Sequence, residues 1–164
     1  MLSVNPMSAG DARTIVGWRY PPPYDLYDLD SDTIEEDVEW FSDPANRYFS
    51  VQDGDELVAY ICFGEEARVP GGDYDDAALD VGCGTRPDLT GQGMGPSIIE
   101  TAVAFGRKRF GAYHFRSTIA AFNERALKAA QRAGFVPIGR FERPSDSRPF
   151  VVLERADSPD SSAR

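Results

Sequence analysis

The sequence predicts an α+β fold, a mixed sheet covered by helices, and three observations carry the prediction. Strand-like runs and apolar helical periods follow one another between residues 11 and 155 in the order α, α, β, β, β, α, β, α, β, β. Asp53-Gly54 joins the strand-like runs 47–52 and 57–64 as a hairpin turn. Residues 80–100, DVGCGTRPDLTGQGMGPSIIE, pass from a strand through a turn with three alternate glycines into the opening of a helix.

The elements follow in order. Residues 1–10 read as a loose lead-in with a weak strand pattern over 1–6. Ala12, Ile15 and Val16 keep a short helical period that Pro21, Pro22 and Pro23 must end. Trp18, Tyr20, Tyr24 and Tyr27 crowd this proline elbow and read equally well as the lining of a ligand pocket and as staples to the core. Asp32 and Glu35 match a capping box, and Ile34, Val38 and Phe41 recur with helical spacing before Asp43-Pro44. Residues 65–76 have loop composition, and their acids Glu65, Glu66, Asp73, Asp75 and Asp76 read as solvated charge. Residues 77–85 are a strand, and Ile98, Ile99, Ala102, Val103 and Gly106 define a long helix to about Arg109. Residues 113–121 form a further strand. Asn123 is placed to cap a helix with Ala126, Leu127, Ala130 and Ala133 on one face and Gly134 at its end. Runs 135–142 and 150–154 close as a hairpin. Residues 1–155 are thus expected to form a single domain, and residues 156–164 a polar, disordered tail.

Length and composition narrow the function. A chain of 164 residues with 41% hydrophobic content supports one core. No apolar run approaches the ~18–20 residues that span a bilayer, and the N-terminus lacks a signal-peptide pattern, so a soluble cytoplasmic protein is expected. Cys62 and Cys83 lack metal-ligand spacing and read as small buried hydrophobes, and His114 is the only histidine; no metal site is expected. A net charge of −10 argues against a nucleic-acid partner. That charge is unevenly spread: residues 1–85 carry 19 acids and 4 bases, residues 86–164 carry 8 acids and 13 bases. The division suits a protein that joins a cationic partner to an anionic, phosphate-bearing one, and equally a chain kept soluble by negative charge.

Gly91, Gly93 and Gly95 let the backbone approach a ligand and point amides outward at the start of a helix, where the dipole favours anions. Pro96 stands near the first helical position, where no amide hydrogen is needed. The turn reads as a phosphate cradle, or as a tight connection that binds nothing. A dinucleotide-binding module does not fit, because the glycines follow a third confident strand through Arg86-Pro-Asp-Leu.

Three motifs give the chain a family resemblance. TGQGMG at residues 90–95, Ala121-Phe-Asn-Glu-Arg-Ala-Leu-Lys after the fifth strand, and Arg132-Ala-Gly-Phe at the end of that helix stand in the order and spacing of the GNAT acyl-CoA-dependent N-acyltransferases, which the chain resembles over about residues 11–155. The resemblance implies a mostly antiparallel sheet of six to seven strands flanked by about four helices, with the fourth and fifth strands splayed apart. It implies acetyl-CoA in that splay, with pantetheine along Val81, Gly82, Cys83 and Gly84 and near Asn123. The pyrophosphate would rest on the amides of Gln92, Gly93, Met94 and Gly95, with Ser97 adding a hydroxyl. Arg86, Arg107, Lys108, Arg125, Lys128 and Arg132 are candidates for the adenosine phosphates. The acceptor implied is a primary amine, cationic if the acidic half receives it, and many relatives are homodimers. Asp80 is the first candidate for taking the amine's proton and Glu65 the second. Two positions depart from the family: Thr90 replaces a leading Arg or Gln, and Ala130 stands where many relatives carry a tyrosine acid. Tyr113 and Ser117 are the nearest substitutes for that acid, and His114 reads as a structural or surface residue. Without the tyrosine, a non-catalytic acyl-CoA-binding sensor or interaction protein with the same fold is the alternative reading.

Overall fold

The computed structural model describes residues 1–159. A seven-stranded sheet in the order β1-β2-β3-β4-β5-β7-β6 forms the middle layer. Its strands are β1 (Leu2–Pro6), β2 (Tyr48–Asp53), β3 (Glu56–Phe63), β4 (Leu79–Thr85), β5 (His114–Ala120), β6 (Val136–Glu142) and β7 (Pro149–Ala156). Four helices cover it: α1 (Ala9–Val16), α2 (Ile34–Ser42), α3 (Gly95–Phe110) and α4 (Glu124–Arg132). Every neighbouring pair is antiparallel except β4 and β5.

The hairpins and the helices α3 and α4 form where the sequence places them. Gly54 takes the left-handed conformation its turn requires, φ +63°. The lead-in does not stay loose: Leu2 to Pro6 pair along β2 from Asp53 to Phe49. With only Leu2 and Val4 alternating inward, this edge strand is too short to give a clear period in sequence. Asp32 is not the cap expected of it. The Asp30 carboxylate accepts from the Asp32 amide, a 3₁₀ turn intervenes, and α2 begins at Ile34 with no side-chain cap. The region expected to be a tail starts as structure, since Ala156 ends β7 and the Asp157 amide donates to the Tyr113 carbonyl. The remainder of that expectation, residues 160–164, lies outside the described residues.

Alternation along the strands sorts the side chains into two cores. Ala59, Ile61, Phe63, Val81, Phe115 and Leu153 pack under α3 and α4 with Ile98, Ala102, Val103 and Ala130. Phe63 and Phe115 are at most 1% exposed, so each contributes about 1.5–3 kcal/mol of burial free energy. Gly106 lets α3 lie directly on this layer; a Cβ there would stand 2.9 Å from Phe115 and 3.0 Å from Phe63. On the opposite face α1 and α2 bury Ala12, Ile15, Val16, Val38 and Phe41, with Trp18, Tyr48 and Tyr60 packed against them. Arg13 of α1 clasps Glu35 of α2 through two hydrogen bonds of 2.8 and 2.9 Å.

Candidate active site

β4 and β5 share only two rungs, Leu79 with Phe115 and Asp80 with Arg116. Beyond Asp80 the strands part, and the edge of β4 from Val81 to Gly84 has no strand partner on that side. Its amides and carbonyls stay available to an extended ligand that completes the ladder, as an added strand would. Cys83 lies on this free stretch and is exposed, whereas the sequence reading buried both cysteines; Cys62, paired in register with Gly82, is buried as expected.

The next segment turns through Pro87–Leu89 and the glycines into α3. Gly91 and Gly93 have φ of +74° and +83°, and nothing lies within 4 Å of a Cβ built on Gly93. That open concavity can take a ligand atom. Gly95 serves differently: a Cβ there would meet the Ala129 Cβ at 2.8 Å, so this glycine seats α4 against the start of α3. Met94, the N-cap, makes no side-chain cap bond, which leaves the first-turn amides free for an anion, except at Pro96, which has none. Ser97 is exposed in the same turn. The Gln92 side chain donates to the Asp88 carbonyl at 2.7 Å, and Thr90 returns its hydroxyl to the Pro87 carbonyl at 2.8 Å, so both side chains brace the turn. These features fit a diphosphate held by backbone amides.

Of the six basic residues considered for the adenosine phosphates, one is brought to the turn. The Arg125 guanidinium would stand 3.3 Å from a Cβ on Gly91 and lies 3.9 Å over the Tyr24 ring. Arg86 is tied to Asp88 and the Leu57 carbonyl, and Arg107 to Asp157. Lys108, Lys128 and Arg132 are exposed on their helices.

The proline elbow spans the parted strands. Tyr20 donates its hydroxyl to the Thr85 carbonyl at the end of β4, 2.7 Å. Across the gap Tyr24 and Tyr27 pack on Phe122, and the Tyr27 hydroxyl accepts from Asn123 Nδ2 at 3.1 Å. Asn123 Oδ1 caps α4 through the Ala126 amide, so the residue expected on pantetheine also ties the elbow to α4. Burial pushes the Tyr20 hydroxyl up to about 12, with Asp28 adding to the effect. Trp18 stacks on Tyr60 at 6.3 Å. Staple and lining are therefore not exclusive: Trp18 packs with the core, while the three tyrosines bridge the mouth of the gap.

Asp80 stands at the parting point, 1% exposed, where the sequence expectation was a partly buried base. It accepts from Arg116 Nε at 2.7 Å and Nη2 at 2.8 Å, and from Arg68 Nε at 2.9 Å. Three of roughly four acceptor directions are thus taken by guanidinium groups. These surroundings favour an ion-pair node over a free base. The loop acids that read as solvated belong partly to this node: Asp75 accepts from Arg116 at 3.1 Å and Asp76 from Arg68 at 3.4 Å. The Ala77 amide, and after it Arg116, hold the Asp75 carboxyl below its usual range. Glu65 is exposed on the 3₁₀ turn Gly64–Ala67, while its neighbour Glu66 turns inward and accepts from Trp40 Nε1. Ala130 is 1% exposed within the core beneath α4. Tyr113 and Ser117 are partly buried, the latter paired with Leu153 of β7.

Sequence reasoning missed Tyr60. Its ring lies across Gly84, with ring carbons 2.1 and 2.4 Å and the hydroxyl 2.8 Å from where a Cβ would be. The signal was present in the alternate glycines Gly82 and Gly84, which face Cys62 and Tyr60 across the β3–β4 ladder.

A mixed sheet whose two central parallel strands part beside a glycine turn and an uncapped helix N-terminus is the architecture that the family resemblance implies. The sequence agrees: residues 12–135 match the model of the Acetyltransferase (GNAT) family, and the chain belongs to that family. No curated protein matches it in sequence. Among solved structures it is similar to a chimera of spermidine N-acetyltransferase SpeG from Vibrio cholerae and hSSAT, with TM-score 0.73 and 18% identity over 99% of both chains. It is also similar to aminoglycoside acetyltransferase AAC(6')-Ib in complex with coenzyme A, with TM-score 0.74 and 15% identity over 95% of both chains. An aminoglycoside N(6')-acetyltransferase from Legionella pneumophila aligns with TM-score 0.71 and 19% identity, over 99% of this chain and 96% of the other. No helix among the described residues is long and apolar enough to cross a membrane, and no three metal-binding side chains converge among them.

Proposed function

We propose that this acetyltransferase moves an acetyl group from acetyl-CoA to a primary amine by direct attack in the gap between β4 and β5. The observation that carries the reading is the conjunction of an unpaired β4 edge with an uncapped α3 N-terminus one turn further along the chain. Acetyl-CoA supplies the activated thioester. The Val81 to Gly84 backbone holds the pantetheine arm, the amides of Gln92, Gly93 and Gly95 hold the diphosphate, and Arg125 adds a cation beside them. Asp80 keeps Arg116 and the 68–76 loop in place at the parting point, and the amine's proton leaves through water at the mouth.

A cationic acceptor is the reading the charge division favours, because the acidic half of the chain carries α1, α2 and the elbow. Of the three similar structures, one is named for spermidine and two for aminoglycosides, which supports a polyamine or amino sugar here. The free thiols Cys62 and Cys83 suit a reducing compartment such as the cytoplasm. Thiol release from acetyl-CoA, followed against a panel of polyamines, amino sugars and peptide N-termini, tests the proposal. Turnover with one class is expected. Stabilisation by acetyl-CoA without thiol release from any amine would favour the acyl-CoA sensor instead, a reading that Ala130 in the usual acid's place keeps in view.

A further inference from the structure

At the end of the sheet away from the glycine turn, a cavity of about 550 Å³ opens between the starts of β4 and β5, the end of β3 and the end of α3. The sixteen residues of α3 separate it from the turn by about 24 Å. Its lining is apolar at Leu79, Phe110 and Ala112, and its polar side carries Arg47 and Arg68 together with Asp76, Asp80 and His114. Arg68 is largely committed, through Nε to Asp80 and through Nη2 to the Asp75 carbonyl and Asp76. Arg47 is not. Its exposed guanidinium lies 5.0 Å over the Phe110 ring, which Arg109 also overlies at 5.4 Å, and, among the described residues, meets neither a carboxylate nor a hydrogen-bond acceptor.

The backbone of Arg47 is also unusual, left-handed at φ 58° and ψ 40°. Such a conformation costs a residue with a Cβ roughly 1 kcal/mol or more. It is held by the Arg47 amide on the Pro44 carbonyl and by the Phe63 amide on the Arg47 carbonyl. A strained position that presents an unpaired planar fork over an aromatic floor suits a planar monoanion. Asp76 and Asp80 are engaged by Arg68, and Asp80 also by Arg116, so Arg47 is the lining arginine whose fork has no carboxylate on it.

We propose that this cavity is a second ligand site, which takes a small organic carboxylate with an apolar body. The carboxylate pairs with the Arg47 fork and the body lies against Leu79 and Ala112. The site is separate from the acetyl-CoA gap and does not depend on the chain's turnover.

Calorimetric titration of the full chain with benzoate, with inorganic phosphate as a parallel arm and with acetyl-CoA either absent or saturating, tests this. Benzoate is expected to bind saturably, more tightly than phosphate, and with the same affinity in both acetyl-CoA conditions. Arg47→Gly removes the fork while giving the left-handed backbone the residue that suits it, so the variant folds; benzoate affinity should fall about tenfold or more, the loss of charge-assisted hydrogen bonds. Arg47→Lys, which keeps charge without the fork, should fall between the two. Absence of saturable benzoate binding, equal binding by the glycine variant, a preference for phosphate, or competition with acetyl-CoA would each overturn the proposal.

Discussion

Arg116 meets Asp80 across the last rung that β4 and β5 share, Nε to Oδ1 at 2.7 Å and Nη2 to Oδ2 at 2.8 Å, with both residues at most 4% exposed. Removing one partner of such a pair leaves the other as an uncompensated buried charge. Asp80→Asn is therefore expected to cost about 3 kcal/mol, near the lower end for a broken buried pair, because Asp75 still faces Arg116. A urea denaturation midpoint measures this. In the variant that remains folded, the acid limb of the kcat/KM pH profile should be unchanged; disappearance of that limb would make Asp80 the base after all.

Tyr60 and Gly84 form a cross-strand pair in which the ring occupies the space of the missing side chain. Gly84→Ala forces the ring, at 2.1 Å from the new methyl, out of its place between Trp18 and the strand. Overpacking of this kind costs about 1–3 kcal/mol. The double variant with Tyr60→Ala should lose less than the two single changes added together. Strict additivity in thermal denaturation would show that the two positions are not coupled.

Local signals made most of the architecture legible. Asp53-Gly54, the apolar period of α3 and Gly134 at the end of α4 each fix an element without reference to the rest of the chain. The glycine turn was legible for the same reason, because φ requirements at Gly91 and Gly93 are local. What stayed hidden depends on distant pairing. Asp80 finds Arg116 at a separation of 36 residues, and Tyr20 finds Thr85 at 65, so neither partner can be read from spacing. Asp30 caps the intervening 3₁₀ turn, which moves the start of α2 to Ile34 and leaves Asp32 without a capping role, a displacement within the usual uncertainty of helix ends.

The Tyr20 hydroxyl bridges the elbow to β4, and its folded-state value of about 12 lies above the ordinary value of 10.0. The unfolded chain thus loses this proton first. Stability linked to Tyr20 is fully present below about pH 10 and declines as pH rises toward about 12. Tyr20→Phe removes the hydrogen bond to Thr85, at about 1 kcal/mol at neutral pH, and should flatten part of the alkaline decline. Chemical denaturation at several pH values between 8 and about 12 resolves both effects; an identical alkaline slope in the variant would assign the decline to other groups.

Arg125 is the cation placed beside the glycine turn, and Lys128, one turn further along α4, points to solvent. Arg125→Ala should weaken acetyl-CoA binding about tenfold and lower its salt dependence, the loss expected for a charge-assisted phosphate contact, whereas Lys128→Ala should leave it unaltered. Because Arg125 also covers Tyr24, loosening of the elbow is a competing cause. Tyr24→Leu separates the two, since it removes the stacking and keeps the guanidinium. Weak acetyl-CoA binding in both the Arg125 and Tyr24 variants would point to the elbow; weak binding in the Arg125 variant alone places its charge on the phosphates.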